Sequence, residues 1–199
     1  NGSGRALRLL DWLMAPLQST QLGTLVAAEL QLTLRQRPGW WWLALLSTAG
    51  AGLLAPAPLA ALAVVAGWAL LMDRYRQAPL YERSTRTGPL IFSASGAGKR
   101  VLQARWTVLF ALGVLVNLPA LLRFAINQPM VALAIVIVAA SLPAWSFAVG
   151  ALTGNSRAFE LLACVFGYLA LNGVAVLNVG SDPGWTSLVH IVALPAVIF

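Results

Sequence analysis

The sequence predicts an all-α fold, a polytopic helical membrane protein with about six transmembrane helices preceded by an interfacial helix. Three observations carry that expectation. The 199 residues are 59% hydrophobic and only 10% charged, whereas soluble domains carry about 25% charged residues. Long apolar stretches alternate with short polar ones, and roughly 20 apolar residues make one spanning helix. Twelve of the thirteen Lys and Arg residues fall in segments that can share one side of a membrane, which is how cytoplasmic loops are marked.

Taken in order, residues 1–39 form a cytoplasmic or interfacial region with Arg5, Arg8, Arg35 and Arg37. Leu22 to Gln36 reads as a helix, but Glu29 and the short length argue against a span. Thr24, Gln31 and Arg35 share one face, while Glu29, Thr33 and Gln36 interrupt the other. Such a wheel suits a helix lying in the interface, and Pro38-Gly39 ends it. Residues 40–72 carry no charge and are long for one helix. Pro56-Ala57-Pro58 breaks them, which predicts a helical hairpin of short spans at about 40–55 and 58–72. Trp40, Trp41, Trp42 and Trp68 stand where an aromatic belt anchors such spans. The alternative, one tilted and Pro-kinked span, would invert everything downstream.

Residues 73–105 form a basic cytoplasmic loop. Spans follow at about 106–124, with Asn117 and Pro119 inside; at 130–152, kinked near Pro143; and at 158–178. A sixth apolar segment starts near Ser187. With the N-terminus inside, segments 1–39, 73–105 and 152–157 hold four, seven and one basic residues, leaving only Arg123 outside. Ser187 to Phe199 is too short to cross a core of ~30 Å at 1.5 Å per residue, and the chain lacks an initiator Met. We therefore expect one transmembrane domain over 1–199, with more chain before or after it.

The net charge of +7 would suggest nucleic acid in a soluble protein. Here the cations flank apolar runs, so no nucleic-acid partner is expected. The only cysteine, Cys164, lies in an apolar run, which excludes a disulfide framework and a cysteine metal cluster. Twelve Arg to one Lys, with abundant Ala, Leu and Gly, points to a GC-rich bacterial genome. Ser93 to Arg100 imitates a phosphate loop, but Ser93 replaces the first Gly and Arg100 the metal-binding hydroxyl. No nucleotide site is expected there.

Catalytic constellations are equally thin. His190 is alone, no Gly-x-Ser-x-Gly is present, and Asp73, Glu82, Glu160 and Asp182 are spread over both faces. We expect His190 to make a helix–helix hydrogen bond. Glu160 suits the first turn of its helix, and Arg123 can snorkel outward. Asn117 and Asn172 sit deeper, where each either glues helices or lines a pathway. Ser146, Gly150 and Gly154 repeat every four residues, a spacing for close backbone approach. Pro89-Leu90-Ile91-Phe92 is an apolar patch amid charges, which needs cover: it either re-enters the interface or docks on a soluble partner, and docking is the favoured expectation.

An interfacial helix, a span out, a span back, then a cytoplasmic loop with a docking segment resembles the membrane half of ABC-2 type (type V) ABC exporters. Glu82-Arg83-Ser84-Thr85-Arg86-Thr87-Gly88-Pro89-Leu90-Ile91-Phe92-Ser93-Ala94, then Arg100, and Arg105-Trp106 opening the next span, look like bacterial ABC-2 permeases. Gly150 through Glu160 and Asn172-Gly173 resemble the family's fourth and fifth spans. The resemblance implies that Glu82, Arg83, Arg86, Leu90, Ile91 and Phe92 couple to an ABC ATPase subunit. It also implies a second permease half, a bacterial inner-membrane location with the N-terminus cytoplasmic, and Asn117 and Asn172 along the translocation pathway. No cofactor is expected on this chain, with ATP and Mg on the partner ATPase. Two departures stand out: the chain ends within the sixth span, and the extended region after the fifth is reduced to residues 179–186. Two other readings compete, a non-catalytic scaffold subunit and an intramembrane lipid-modifying enzyme using Glu160, His190 or Arg123.

Overall fold

Proline and glycine set most of the helix boundaries. A computed structural model of the protein describes residues 20–35, 37–81 and 97–198, and these are helical apart from short connections. Two compact units emerge: the described parts of Asn1–Arg37 with Thr87–Val108, and those of Pro38–Arg86 with Leu109–Phe199.

The first unit contains helix α1 (Gln21–Arg35) and the opening turns of helix α5 (Ala97–Val116). The Thr20 hydroxyl accepts the Gly23 N–H at 3.0 Å, so an exposed first-turn donor is satisfied as an N-cap does it. Two side-chain contacts join the helices. Arg105 Nε donates to Glu29 Oε1 at 3.3 Å, and Arg100 Nη1 to Gln21 Oε1 at 2.9 Å. Glu29, the residue that spoiled this stretch as a span, thus has a cationic partner 76 residues away.

The second unit starts with α2 (Gly39–Leu54) and α3 (Ala57–Ala69). Pro56 and Pro58 flank the start of α3, where a missing N–H costs nothing. The chain turns back there, and Trp41 Nε1 donates to the Leu70 carbonyl at 2.9 Å. That bond joins the beginning of α2 to the end of α3, so the two helices pack against each other as a hairpin. A short helix α4 (Met72–Gln77) and a single 3₁₀ turn (Ala78–Leu80) follow.

Helix α5 breaks at Asn117, and α6 (Leu118–Asn127) leaves at an angle of 66°. Pro119 explains the break. Its ring clashes with the carbonyl four residues earlier and it donates no hydrogen bond. The straight span predicted from Trp106 to Phe124 is therefore bent. Helix α7 (Pro129–Thr153) runs unbroken through Pro143 and ends at Gly154, whose φ of 62° only glycine adopts freely. Asn155 then caps α8 (Ser156–Leu171) by accepting the Arg157 N–H at 2.9 Å.

The fifth apolar run departs most from expectation. Predicted as helix to residue 178, it stops at Leu171. Gly173 takes a φ of 83°. Its N–H bonds to the Ala170 carbonyl, and the Val174 N–H to Leu169, the paired arrangement of a Schellman cap. Residues 172–182 form an irregular segment before α9 (Pro183–Ile198), and α7 packs most extensively against α9.

Among the described residues, two helical stretches are long and apolar enough to cross a membrane: Ala57–Leu80 and Pro129–Thr153. The bent pair α5–α6 makes a third if it counts as one span. Helices α2, α8 and α9 have 16 residues each, or about 24 Å at 1.5 Å per residue. They fall short of a ~30 Å core.

Candidate functional site: a buried polar junction

Helix α9 turns one polar face into the second unit. Thr186, Ser187 and His190 are all buried there, at 0, 8 and 2% exposure, and residues 186 and 190 are one turn apart on the same face. The Thr186 hydroxyl is shared between the Asp182 and Ala175 carbonyls at 2.9 and 3.2 Å, and His190 Nε2 donates to the Val176 carbonyl at 2.8 Å. All three acceptors belong to the irregular segment 172–182, whose carbonyls have no helix to satisfy them. In a membrane interior such groups must be met within the protein.

His190 reaches a third element through its other ring nitrogen. Because the Val176 carbonyl can only accept, Nε2 carries the hydrogen and Nδ1 of the neutral ring is an acceptor. Ser141 Oγ on α7 lies 2.5 Å from Nδ1 and donates to it, with the Val138 carbonyl at 3.0 Å as its alternative acceptor. One imidazole therefore joins α7, α9 and the irregular segment. The helix–helix hydrogen bond expected of His190 is present.

A hydroxyl beside an imidazole is also how a nucleophile meets its base. Here Ser141 is fully buried, and Nε2 is committed to a backbone carbonyl. A pocket of about 10 Å³ adjoins the ring, lined by Leu142, Trp145, Phe159, Leu162, Phe166 and Leu177. That is room for about one water, with an apolar lining that offers it few partners. The geometry gives this pair a holding role.

A second irregular stretch, the hairpin apex, is satisfied by charge. Arg123 Nη1 on α6 donates to the carbonyls of Gly52, Leu53 and Ala55 at 3.2, 3.1 and 2.6 Å. Gly52 and Leu53 carry last-turn carbonyls of α2, which have no partner within their own helix, and Ala55 lies in the turn just after it. Arg123 is half-buried, so it caps the hairpin instead of only reaching outward.

The remaining predicted residues are scattered. Glu82, Arg83, Arg86, Leu90, Ile91 and Phe92 lie outside the described residues. Asn117 is 3% exposed at the α5–α6 break and donates to the Gly113 carbonyl at 3.1 Å. A Cβ at Gly67 would strike its side chain, so α3 passes close by. Asn172 is exposed and donates to the Tyr168 carbonyl at 2.8 Å. One is interior and the other caps a helix.

Glu160 has a partner the sequence did not suggest, Arg76 on α4 at 3.0 Å. Both side chains are more than a third exposed, so the pair contributes little. The small-residue face of α7 does allow close approach, but its neighbour is the α4–3₁₀ segment. Ser146 Oγ donates to the Tyr75 carbonyl, and Pro79 covers Gly150 where a Cβ would stand. Gly154 serves as the helix cap. Sequence reasoning missed Ser141, Thr186, Arg76 and Tyr75. Among the described residues no three metal-ligating side chains gather.

No protein-family model, curated protein or solved structure matches the chain. The described residues thus define a class by their own physics: an all-helical protein with two or three helices able to cross a membrane.

Proposed function

We propose that this chain is the membrane-spanning subunit of an ATP-driven exporter of the ABC-2 type, in a bacterial inner membrane with its N-terminus in the cytoplasm. It moves substrate by alternating access, driven by a separate ATPase that engages the 73–105 loop through Glu82, Arg83, Arg86, Leu90, Ile91 and Phe92. A second permease half completes the pathway.

One observation supports this reading above others. The chain leaves the first unit at Arg37, runs through a hairpin tied by Trp41 and Leu70, and rejoins that unit at Thr87. Glu29 and Arg105 then hold the two ends together at 3.3 Å. An even number of crossings returns the basic segments to one side, where the positive-inside rule places them. A bipartite unit next to the loop is a suitable receiver for a push, transmitted by rigid-body movement of attached helices.

The test purifies the full chain from its native membrane and assays what ATP-hydrolysing protein comes with it. Replacing Leu90, Ile91 and Phe92 by Asp is expected to abolish co-purification of the ATPase. If the unaltered chain retains no ATP-hydrolysing partner, the exporter reading fails and a scaffold role replaces it.

A further inference from the structure

We infer that the second unit selects short-chain phospholipids for the lipid layer against it, because its polar edges stand only about 18–25 Å apart, where an ordinary bilayer core measures ~30 Å. This rests on reading that unit as membrane-spanning and is independent of any ATPase.

Bonds between helices mark the two edges. One edge is the hairpin apex, where Arg123 donates to the Gly52, Leu53 and Ala55 carbonyls. The other is the charged end of the hairpin. There Trp41 Nε1 meets the Leu70 carbonyl, Asp73 opens the polar stretch, and Arg76 pairs with Glu160 at 3.0 Å. At 1.5 Å per residue, Trp41 to Leu54 covers about 20 Å and Ala57 to Met72 about 22 Å.

Helix α8 repeats the measure. Glu160 ties one end to the charged edge, and the helix stops at Asn172, about 18 Å along its axis. The segment beyond lies toward the apex, for Gly180 is so close to Ala61 on α3 that a Cβ would overlap it. Between the edges, Leu161, Val165, Tyr168 and Leu171 form one exposed row on α8, and Leu43, Leu46 and Leu53 another on α2. Such rows are left to acyl chains.

The longer helices keep the same limits. Helix α7 has 25 residues, but Ser146 donates to the Tyr75 carbonyl and Pro79 covers Gly150. Its last turns therefore run beside α4, past the charged edge, and Pro129 to Ser146 covers about 25 Å. Helix α5 is cut short by the 66° bend into α6, which carries Arg123 to the apex. Tilting accommodates a span that is too long and only worsens one that is too short. The lipid must adapt.

The experiment reconstitutes the full chain with a brominated eighteen-carbon phosphatidylcholine, which quenches the exposed Trp40, Trp42 and Trp185. Unbrominated phosphatidylcholines of different chain length then compete. Fourteen-carbon chains should displace the quencher about threefold better than eighteen-carbon chains, and twenty-two-carbon chains least. The double variant Arg76→Leu, Glu160→Leu lengthens the apolar face of α8 by about one turn, so that ratio should fall toward one. Should this variant lose helicity by circular dichroism, the unaltered chain decides alone. Equal displacement by all three lengths, or displacement that rises with length, would overturn the proposal, as would a ratio that a folded double variant leaves unchanged. Tryptophans that no brominated lipid quenches would remove the membrane-spanning reading together with the inference. The exporter reading keeps its own test, since nothing measured here involves an ATPase.

Discussion

Two stretches of the second unit leave helical geometry, and they are satisfied by opposite means. At the hairpin apex, three carbonyls take hydrogen bonds from one charged nitrogen, Arg123 Nη1. At residues 172–182, neutral donors from α9, Thr186 and His190, do the same work. The surroundings explain the choice. Arg123 is half-exposed, so its charge keeps contact with water or headgroups. Thr186 and His190 are at most 2% exposed, and a charge there would lose its hydration without a counter-ion. A backbone break whose donor is half-exposed tolerates a cation, whereas one met by buried donors requires neutral hydrogen-bond chemistry.

The comparison can be broken by substitution. His190→Ala removes the donor to the Val176 carbonyl and the acceptor of the Ser141 hydroxyl and leaves a cavity, so it should destabilise the purified protein by about 3–5 kcal/mol. Chemical denaturation in micelles measures it. Arg123→Ala should cost about 2 kcal/mol, because water or headgroups reach the freed carbonyls, and Arg123→Lys should recover part of this. A larger loss for Arg123→Ala than for His190→Ala would reverse the argument. Gly173→Ala places a side chain at a φ of 83° and should cost about 1 kcal/mol, read as a lower thermal midpoint. Glu160→Gln comes last. Its pair with Arg76 is solvent-screened, so the change should stay below about 1 kcal/mol and shrink further in high salt.

The legible parts of the fold were those written in local chemistry. Pro56-Ala57-Pro58 announced the hairpin, and Asn155 stands where a cap of α8 belongs. Asn172-Gly173 carried an equally plain stop signal, but the valines beyond it prolonged the apolar run and masked the Schellman cap. Pro119 was visible too, yet apolarity drew the span straight through it. The junction was not legible, because Ser141 meets His190 across 49 residues and Arg76 meets Glu160 across 84. Those distances are set by helix packing, which one sequence does not reveal. Glu82 to Phe92 stand as an expectation from resemblance, and the expected pathway pair divides into an interior Asn117 and an exposed Asn172.

The chain contains a single histidine, and that residue sits where three parts of the bundle converge. Its ring resonances therefore arrive without background in a nitrogen-15 spectrum. Nδ1 reports on the grip of α7, and Nε2 on the strand of backbone before α9. Watching the two signals shift together or separately during turnover would reveal which of these parts moves first.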